Sequence, residues 1–599
     1  MFRAGVILTV LLCLAAIATP VTKAYQGYRA LNSAERLIRA DLVHSQPAHL
    51  SQTLKDLQHG LQSLHGAYEW SPYLRFVPTI GPRYQNLRYI LAAAQNITHA
   101  LTQMEPAIEG GFRSRRVPGS QNSTTSGKAL MDAVIGILPD LSPTLRKSLP
   151  YWHHAQRDLE QVNWQLFQGP LGPTRVRDLK TATQFFSQFV SNIPLIVQNS
   201  QVLKRVLGIP VPQTYLLLFQ NSGELRPTGG FITAYSLVTV HNGHLHSLSS
   251  HNIYSLRHQI TYRPPAPPIL HYVYTQHWHM RDANISPNLP TTAQYINRFY
   301  SSIPGLPRLN GMIFVNTWLV DNLLKVTGPL TMPAAYHNLT ITWRTANKDM
   351  ELIAEHSHLP SSTRKAFIGA MMQMLLNRAR LARGAEFLQI LKALGHGLNR
   401  KYLLVWFHNS QSEQLAISHN WAGLITKNVP ADYLEIVDMN LGGHKDNFFM
   451  HETITINIRK QGSRYIQSDT ITWYNPALDN GWLVVPYQSY LRVYVPLGSQ
   501  LVTITHGNGH IFAYNNHAVN KTVFGRHISL PGRTSHSQPA RRGSITITYR
   551  LPQGLPLTSL LIQKQPGIRS EQCTITDGSF HRTLTLNQDM RVELSQGQH

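Results

Sequence analysis

The spacing of apolar residues changes twice along this chain, and each change limits what that part can fold into. From residue 26 to about 205 they recur every three or four positions, as in Leu50, Leu54, Leu57, Leu61 and Leu64, the stripe of an amphipathic helix packed against a core. Further helices are expected over 85–104, 129–167 and 176–206, with the Gly/Ser/Arg-rich stretch 109–128 as an exposed loop. Near Ile209-Pro210 short continuous runs take over: "TYLLLF", then "FITAYSLVTV", with Asn242-Gly243 as a two-residue hairpin turn before "HLHSLSS". "GMIFVNTWLVDNLLKVTGPLTM" reads strand, helix, Gly stop, strand, and 361–394 reads as one long helix. "YLLVWF" and "YLEIVDM" are further strands. Strands interleaved with helices imply an α/β core over 209–445. From His451 the alternation is strict, with Ile454, Ile456 and Ile458 set between Thr453, Thr455 and Asn457. Pro/Gly punctuation then recurs through 446–599, the pattern of a β-sandwich. The chain reads as α+β and multidomain: a membrane helix or signal segment over 1–25, a helical bundle or stalk over 26–208, then the α/β core and the sandwich.

The leader, Ala4 to Val21, is apolar from Val6 to Ala18 except for Thr9. That is near the upper size of a signal-peptide core and slightly short for a span. Thr22-Lys23-Ala24 can serve as a cleavage site, so anchor and cleaved signal both stand. Either one places the body outside the cytoplasm. The two cysteines, Cys13 and Cys573, cannot form a disulfide framework, because Cys13 sits in the leader.

Lys+Arg number 54 against 30 Asp+Glu, a net charge of +24, which favours anionic surroundings such as acidic headgroups or phosphate-rich polymers. The bases are scattered and form no recognition helix, zinc finger or RNP motif, so nucleic acid is not an expected partner. P-loop, dinucleotide GxGxxG, HExxH, CxxC and GxSxG patterns are all missing from the sequence. His241, His244 and His246 would share one hairpin face, as zinc ligands do. No carboxylate in the hairpin orients them, and histidine is abundant in this chain (30 residues), so no metal is expected there.

The most ordered stretch is "YLLLFQNSGELRPTGGFI". Glu224 and Arg226 flank Leu225, so in extended chain they share a face. Gly229-Gly230 allows close backbone approach and can aim N–H groups at an anion. An arginine fork suits phosphate. The bland alternative is a buried polar network pinning the strand ends, with Glu224 and Arg226 paired because apolar strands flank them. Arg281-Asp282 before a Pro290-opened helix, and Arg364-Lys365 at the start of the long helix, are two further charged points.

These residues carry a resemblance. "LLLFQNSGELRPTGGFI", "RDANISPNLPTTAQYINRFY", "NGMIFVNTWLVDNLLKVTGPL", "NLGGHK" and "LLIQKQPG" resemble successive blocks of a bacterial family, domain of unknown function 4012. That resemblance implies an N-terminal membrane segment, a helical lead and an extracytoplasmic body, with no established activity. The layout of the hairpin and strand–helix units is also similar to the LytR-CpsA-Psr phosphotransferases, which move glycopolymers from lipid pyrophosphate carriers to the cell wall. On that similarity Glu224 takes the place of the metal-binding acid, Arg226 the first arginine, and Arg364 the start of a late helix. The Arg-Asp pair of those enzymes has no counterpart in "SLSSHNIYSLRH" other than Arg257.

Two functions follow. The first is a non-catalytic, membrane-anchored envelope protein that binds anionic glycopolymer or partner proteins and needs no cofactor. The second is a phosphotransferase acting on a lipid-linked glycan, with phosphate on Arg226, Arg281 and Arg364 and a divalent cation on Glu224 or Asp282. An enzyme requires those arginines and an acid to converge on one pocket, whereas a scaffold lets them point apart.

Overall fold

A computed structural model describes residues 18–37, 49–114, 137, 140–246, 250–273, 276–353, 357–382, 384–578 and 580–594. The leader up to residue 17, most of the loop expected over 109–128, the start of the helix expected from 129, and the side chains of His244 and His246 lie outside the described residues. Contacts divide the chain into two compact units. One holds the described residues up to Pro212 with His241–His244 and Arg380–Leu388, and the other holds the rest.

A helix with one apolar stripe hides it most simply against another helix. In the first unit the longer helices are α1 (18–37), α2 (Leu50–Glu69), α3 (Gly81–Ser114), α4 (Ser142–Glu160) and α5 (Pro173–Gln198). Leu54 and Leu61 of the expected stripe are buried on α2. The shared core of α3, α4 and α5 is built from Ala100, Met104, Leu145, Trp152, Val190 and Ile193. The helix expected over 129–167 is shorter among the described residues, because Asn163 caps a separate 3-10 turn at Trp164–Phe167. Among the described residues no helix is long and apolar enough to cross a membrane.

Past Pro212 come β1 (Gln213–Asn221), β2 (Phe231–His241), β3 (His244–His246) and β4 (Ser250–Asn252). The Asn242-Gly243 turn between β2 and β3 takes φ of 51° and 78°, the left-handed pair that a two-residue hairpin needs. Helix α6 (Leu289–Ser301) follows, opened by Pro290, and then β5 (Gly311–Asn316) and α7 (Thr317–Thr327). Gly328, at φ 76°, ends α7. Helices α8 (Ala346–Glu351), α9 (Ser361–Leu381) and α10 (Gly384–Asn399) precede β6 (Leu403–Phe407) and α11 (Ser410–Ser418). The stretch read as one long helix is therefore two, α9 and α10.

The strands form a six-stranded sheet ordered β3-β2-β1-β5-β6, with β4 also on β2. β1 runs parallel to β5 and antiparallel to β2, and β5 runs antiparallel to β6. "YLLLF" is apolar on both faces because both faces are covered. Leu216 and Leu218 pack with α6 residues such as Ile296 and Phe299, while Tyr215, Leu217 and Phe219 pack with Leu319 of α7 and Met371 of α9.

Apart from a two-stranded pair, Leu330–Thr331 with Thr340–Ile341, the remaining strands are β7 (Asp432–Val437), β8 (His451–Gln461), β9 (Arg464–Asn475), β10 (Tyr487–Pro496), β11 (Gln500–Thr505), β12 (Asn508–Asn516), β13 (Lys521–Leu530), β14 (Arg541–Arg550), β15 (Ser559–Gln563), β16 (Glu571–Asp577), β17 (Phe580–Leu586) and β18 (Met590–Glu593). They make two six-stranded sheets, ordered β11-β14-β9-β8-β16-β17 and β12-β13-β10-β7-β15-β18. Ile454, Ile456 and Ile458 face inward and meet residues of the other sheet, including Leu491, Val493 and Phe524, in one core. β7, read from the sequence with the α/β core, instead pairs with β10 and β15 near the middle of the second sheet. Buried charges stitch the α/β core to the sandwich within this unit. Lys401, 1% exposed, pairs with Asp589 at 2.7 Å, and Lys564 donates to the Arg400 carbonyl at 3.3 Å.

Candidate functional site

In open α/β sheets ligands settle beyond the carboxyl ends of parallel strands. In this chain that place is occupied by the loop 222–230, which leaves the end of β1, and by Asn316 and Thr317 at the junction of β5 and α7. Loops usually run over the surface, yet every residue of 222–230 is buried. Its polar groups are correspondingly paired. Phe231 N donates to Glu224 O at 2.9 Å, Ser222 Oγ to Gly229 O at 2.9 Å, and Gln220 Nε2 to Thr228 Oγ1 at 2.6 Å. From outside the loop, Asn284 Nδ2 donates to Gly230 O at 2.8 Å, and Asn447 Oδ1 accepts from Leu225 N at 3.2 Å.

Gly230 is demanded by space and Gly229 by its backbone conformation. A Cβ on Gly230 would stand 2.2 Å from Asn221 O. Gly229, at φ 133°, lies against Gly567, whose own Cβ would come 2.1 Å from Gly229 O. The turn after β15 buttresses the loop further: Gln565 Nε2 donates to Arg226 O at 3.3 Å and Trp318 Nε1 to Gly567 O at 2.6 Å.

Glu224 and Arg226 are 4% and 3% exposed. The Arg226 Nη2 donates to Glu224 Oε1 at 2.8 Å, its Nη1 donates to the Asn440 carbonyl, and Lys445 Nζ donates to Glu224 Oε2 at 2.9 Å. The Nε of Arg226 is buried without a hydrogen-bond partner among the described residues. Arg281 pairs with Asp282 at 3.3 Å and lies over the Tyr254 ring, 4.8 Å from its centroid. Burial pushes the Asp282 carboxyl above its ordinary range, against the opposing pull of Arg226 and Arg281.

Glu224, Arg226, Arg281, Asp282, Arg364 and Lys445 all line one cavity of about 590 Å³. The rest of its lining includes Phe219, Val315, Val320, Ile368, Met371 and Met372, all members of the apolar cluster beneath the sheet. One side of this space is thus a charged network and the other is apolar and rich in methionine, a side chain that adapts to irregular shapes.

The five charged residues singled out in the sequence, Glu224, Arg226, Arg281, Asp282 and Arg364, are brought together here, although Gly229 and Gly230 shape the loop from behind. Lys445, the last residue of "NLGGHK", joins them in the cavity without a local charge pattern to single it out. Glu351, which accepts from Asn221 Nδ2 and lines the same cavity, carries no sequence signal. Among the described residues no group of three or more His, Cys, Asp or Glu side chains is placed to hold a metal ion.

Residues 211–347 match a family model described as a protein of unknown function, DUF4012. The chain carries a DUF4012 segment. No curated protein matches the chain, and neither does any solved structure. The DUF4012 match takes in the buried loop, Arg281 and Asp282, and the β5–α7 junction, whereas Arg364 and Lys445 lie beyond it. The cavity is therefore completed by residues outside the matched DUF4012 segment.

Proposed function

We propose that this protein is held at the bacterial membrane by its leader, with its body outside the cytoplasm, and that its cavity binds an anionic amphiphile without catalysing its reaction. The observation that carries this reading is the division of one cavity between a charged network with four basic side chains and a methionine-rich apolar lining. A phosphate-bearing head group would meet Arg226, Arg281, Arg364 and Lys445, and a hydrocarbon chain would meet Met371, Met372 and Val320. Lipid-linked glycan of the envelope has that chemistry. The apolar run Val6 to Ala18 supports the anchor; signal cleavage and secretion is the alternative.

The convergence of three arginines with an acid also favours a second reading, a phosphotransferase on a LytR-CpsA-Psr-like core. The donor set does not fit the divalent cation that this reading implies. Both Glu224 oxygens are already taken by Arg226 and Lys445, and Asp282 stands beside Arg281. Binding is the better-supported function.

The test is purification of the full chain from membranes in mild detergent, followed by organic extraction and mass spectrometry. An anionic amphiphile near one per chain, reduced several-fold in Arg364→Ala, is the expected result. Recovery of the intact chain in the soluble cytoplasm would overturn its location. Lipid-free protein that also fails to bind added phosphatidic acid would overturn the binding.

A further inference from the structure

Next to the main cavity lies a second one of about 110 Å³, and Tyr254 and Arg281 line both. Its other basic or imidazole lining residues are Arg257, Arg263, His277 and His279, and among the described residues no carboxylate lines it. Two short segments place these groups on one rim. Trp278 N donates to Pro264 O at 3.1 Å, Ala266 N donates to Gln276 O at 3.1 Å, and Pro265 and His277 form a bridge. Proline restricts the backbone through 264–268. The floor is aromatic and fixed: Trp278 meets Phe299 edge-on at 5.5 Å, Tyr262 meets Phe299 at 5.2 Å, and Trp278 Nε1 donates to Asp282 O at 3.0 Å.

Cations gathered without acids repel one another, and such a group is favourable chiefly where an anion joins it. Arg281 has Asp282 as its partner, but among the described residues Arg257 and Arg263 are in no ion pair and stand exposed. The crowding registers on His279: burial first, then Arg281, Arg257, His277 and Arg263, hold its imidazole down to about 4. Stacking on aromatic rings accounts for Arg281, through Tyr254, and among the described residues for neither of the other two arginines.

We infer that Arg257, Arg263, His277, His279 and Arg281 form a second anion subsite, with room for one small anionic group, and that a ligand bearing two separated negative groups spans both cavities through the shared Arg281. The spanning rests on the amphiphile reading above; the subsite itself does not.

The probes are detergent-solubilised phosphatidic acid, which has one phosphate, phosphatidylinositol 4-phosphate, which has two separated phosphates, and inorganic phosphate, each titrated against the full chain. The two-phosphate lipid is expected to bind roughly tenfold tighter than phosphatidic acid, the equivalent of one added charge-assisted contact. Arg263→Ala and Arg257→Ala should each erase most of that difference and leave phosphatidic acid affinity unchanged. Arg364→Ala should weaken both lipids alike. Unchanged binding of the two-phosphate lipid in both second-cavity variants would overturn the subsite. Should neither lipid bind while inorganic phosphate does so in an Arg263-dependent way, the subsite stands and the amphiphile reading falls.

Discussion

At the scale of residues, the buried Glu224–Arg226 pair decides how this site responds to mutation. Removing one member of a fully desolvated pair leaves the other uncompensated. Arg226→Ala should therefore cost about 3–5 kcal/mol of stability, seen as a large drop in melting temperature. An unchanged melting temperature with lost lipid binding would instead confine the role of Arg226 to the ligand. The pairing was readable in advance, since charges set between apolar strands must find partners. The partners Asn440 and Lys445 were not, because nothing local in the chain points to residues more than two hundred positions away. A pH effect belongs to this scale too. Burial raises the carboxyls of Glu413, Glu435, Asp469 and Glu571 to about 7. Each folded-state value lies above the ordinary one, so the contribution is full below the ordinary carboxylate range and is lost as pH rises towards 7. Lys564, lowered by burial to about 7, acts in the opposite sense above that value. Stability should thus decline between pH 5 and 7. Asp469→Asn, which keeps a carbonyl for Tyr549 or Gln467 to bond, should flatten part of the decline in thermal melts; an identical slope would remove Asp469 from the account.

At the scale of elements, period was the reliable signal wherever one face of an element is wet. Strand β8 alternates clearly and was read from sequence. β7 is buried at all six positions and so shows no alternation, which made it indistinguishable from a strand of the α/β core. The break between α9 and α10 was hidden because a helical stripe can continue in register past a gap in the helix. The contact of two chain turns at Gly229 and Gly567 had no signature beyond the glycines themselves. Gly567→Ala should push the buried loop away from its place and weaken phosphatidic acid binding at least several-fold, with a lowered melting temperature. Gly554→Ala is the matched control: its φ of 76° is similar, yet nothing lies within 4 Å of the added carbon. Equal effects of the two substitutions would show that backbone conformation matters and the crossing does not.

At the scale of the whole molecule, the sandwich cannot be cut off at the boundary that the sequence suggests. A fragment 446–599 lacks β7, leaving β10 and β15 without the strand between them. It should fail to give a cooperative melt, whereas 213–599 should melt as one folded unit; a stably folded 446–599 would show that β7 is dispensable. The same reach has a consequence for how the protein is made. Arg226 and the Gln565 that holds its carbonyl are 339 residues apart, so the wall of the cavity cannot set while the chain is still being threaded out of the ribosome. Until nearly the last strands emerge, the loop with its two charges lacks the support of Gln565 and Gly567. A chain cut short before Gln565 lacks that buttress, and its loop should be cleaved by added protease sooner than the loop of the full chain.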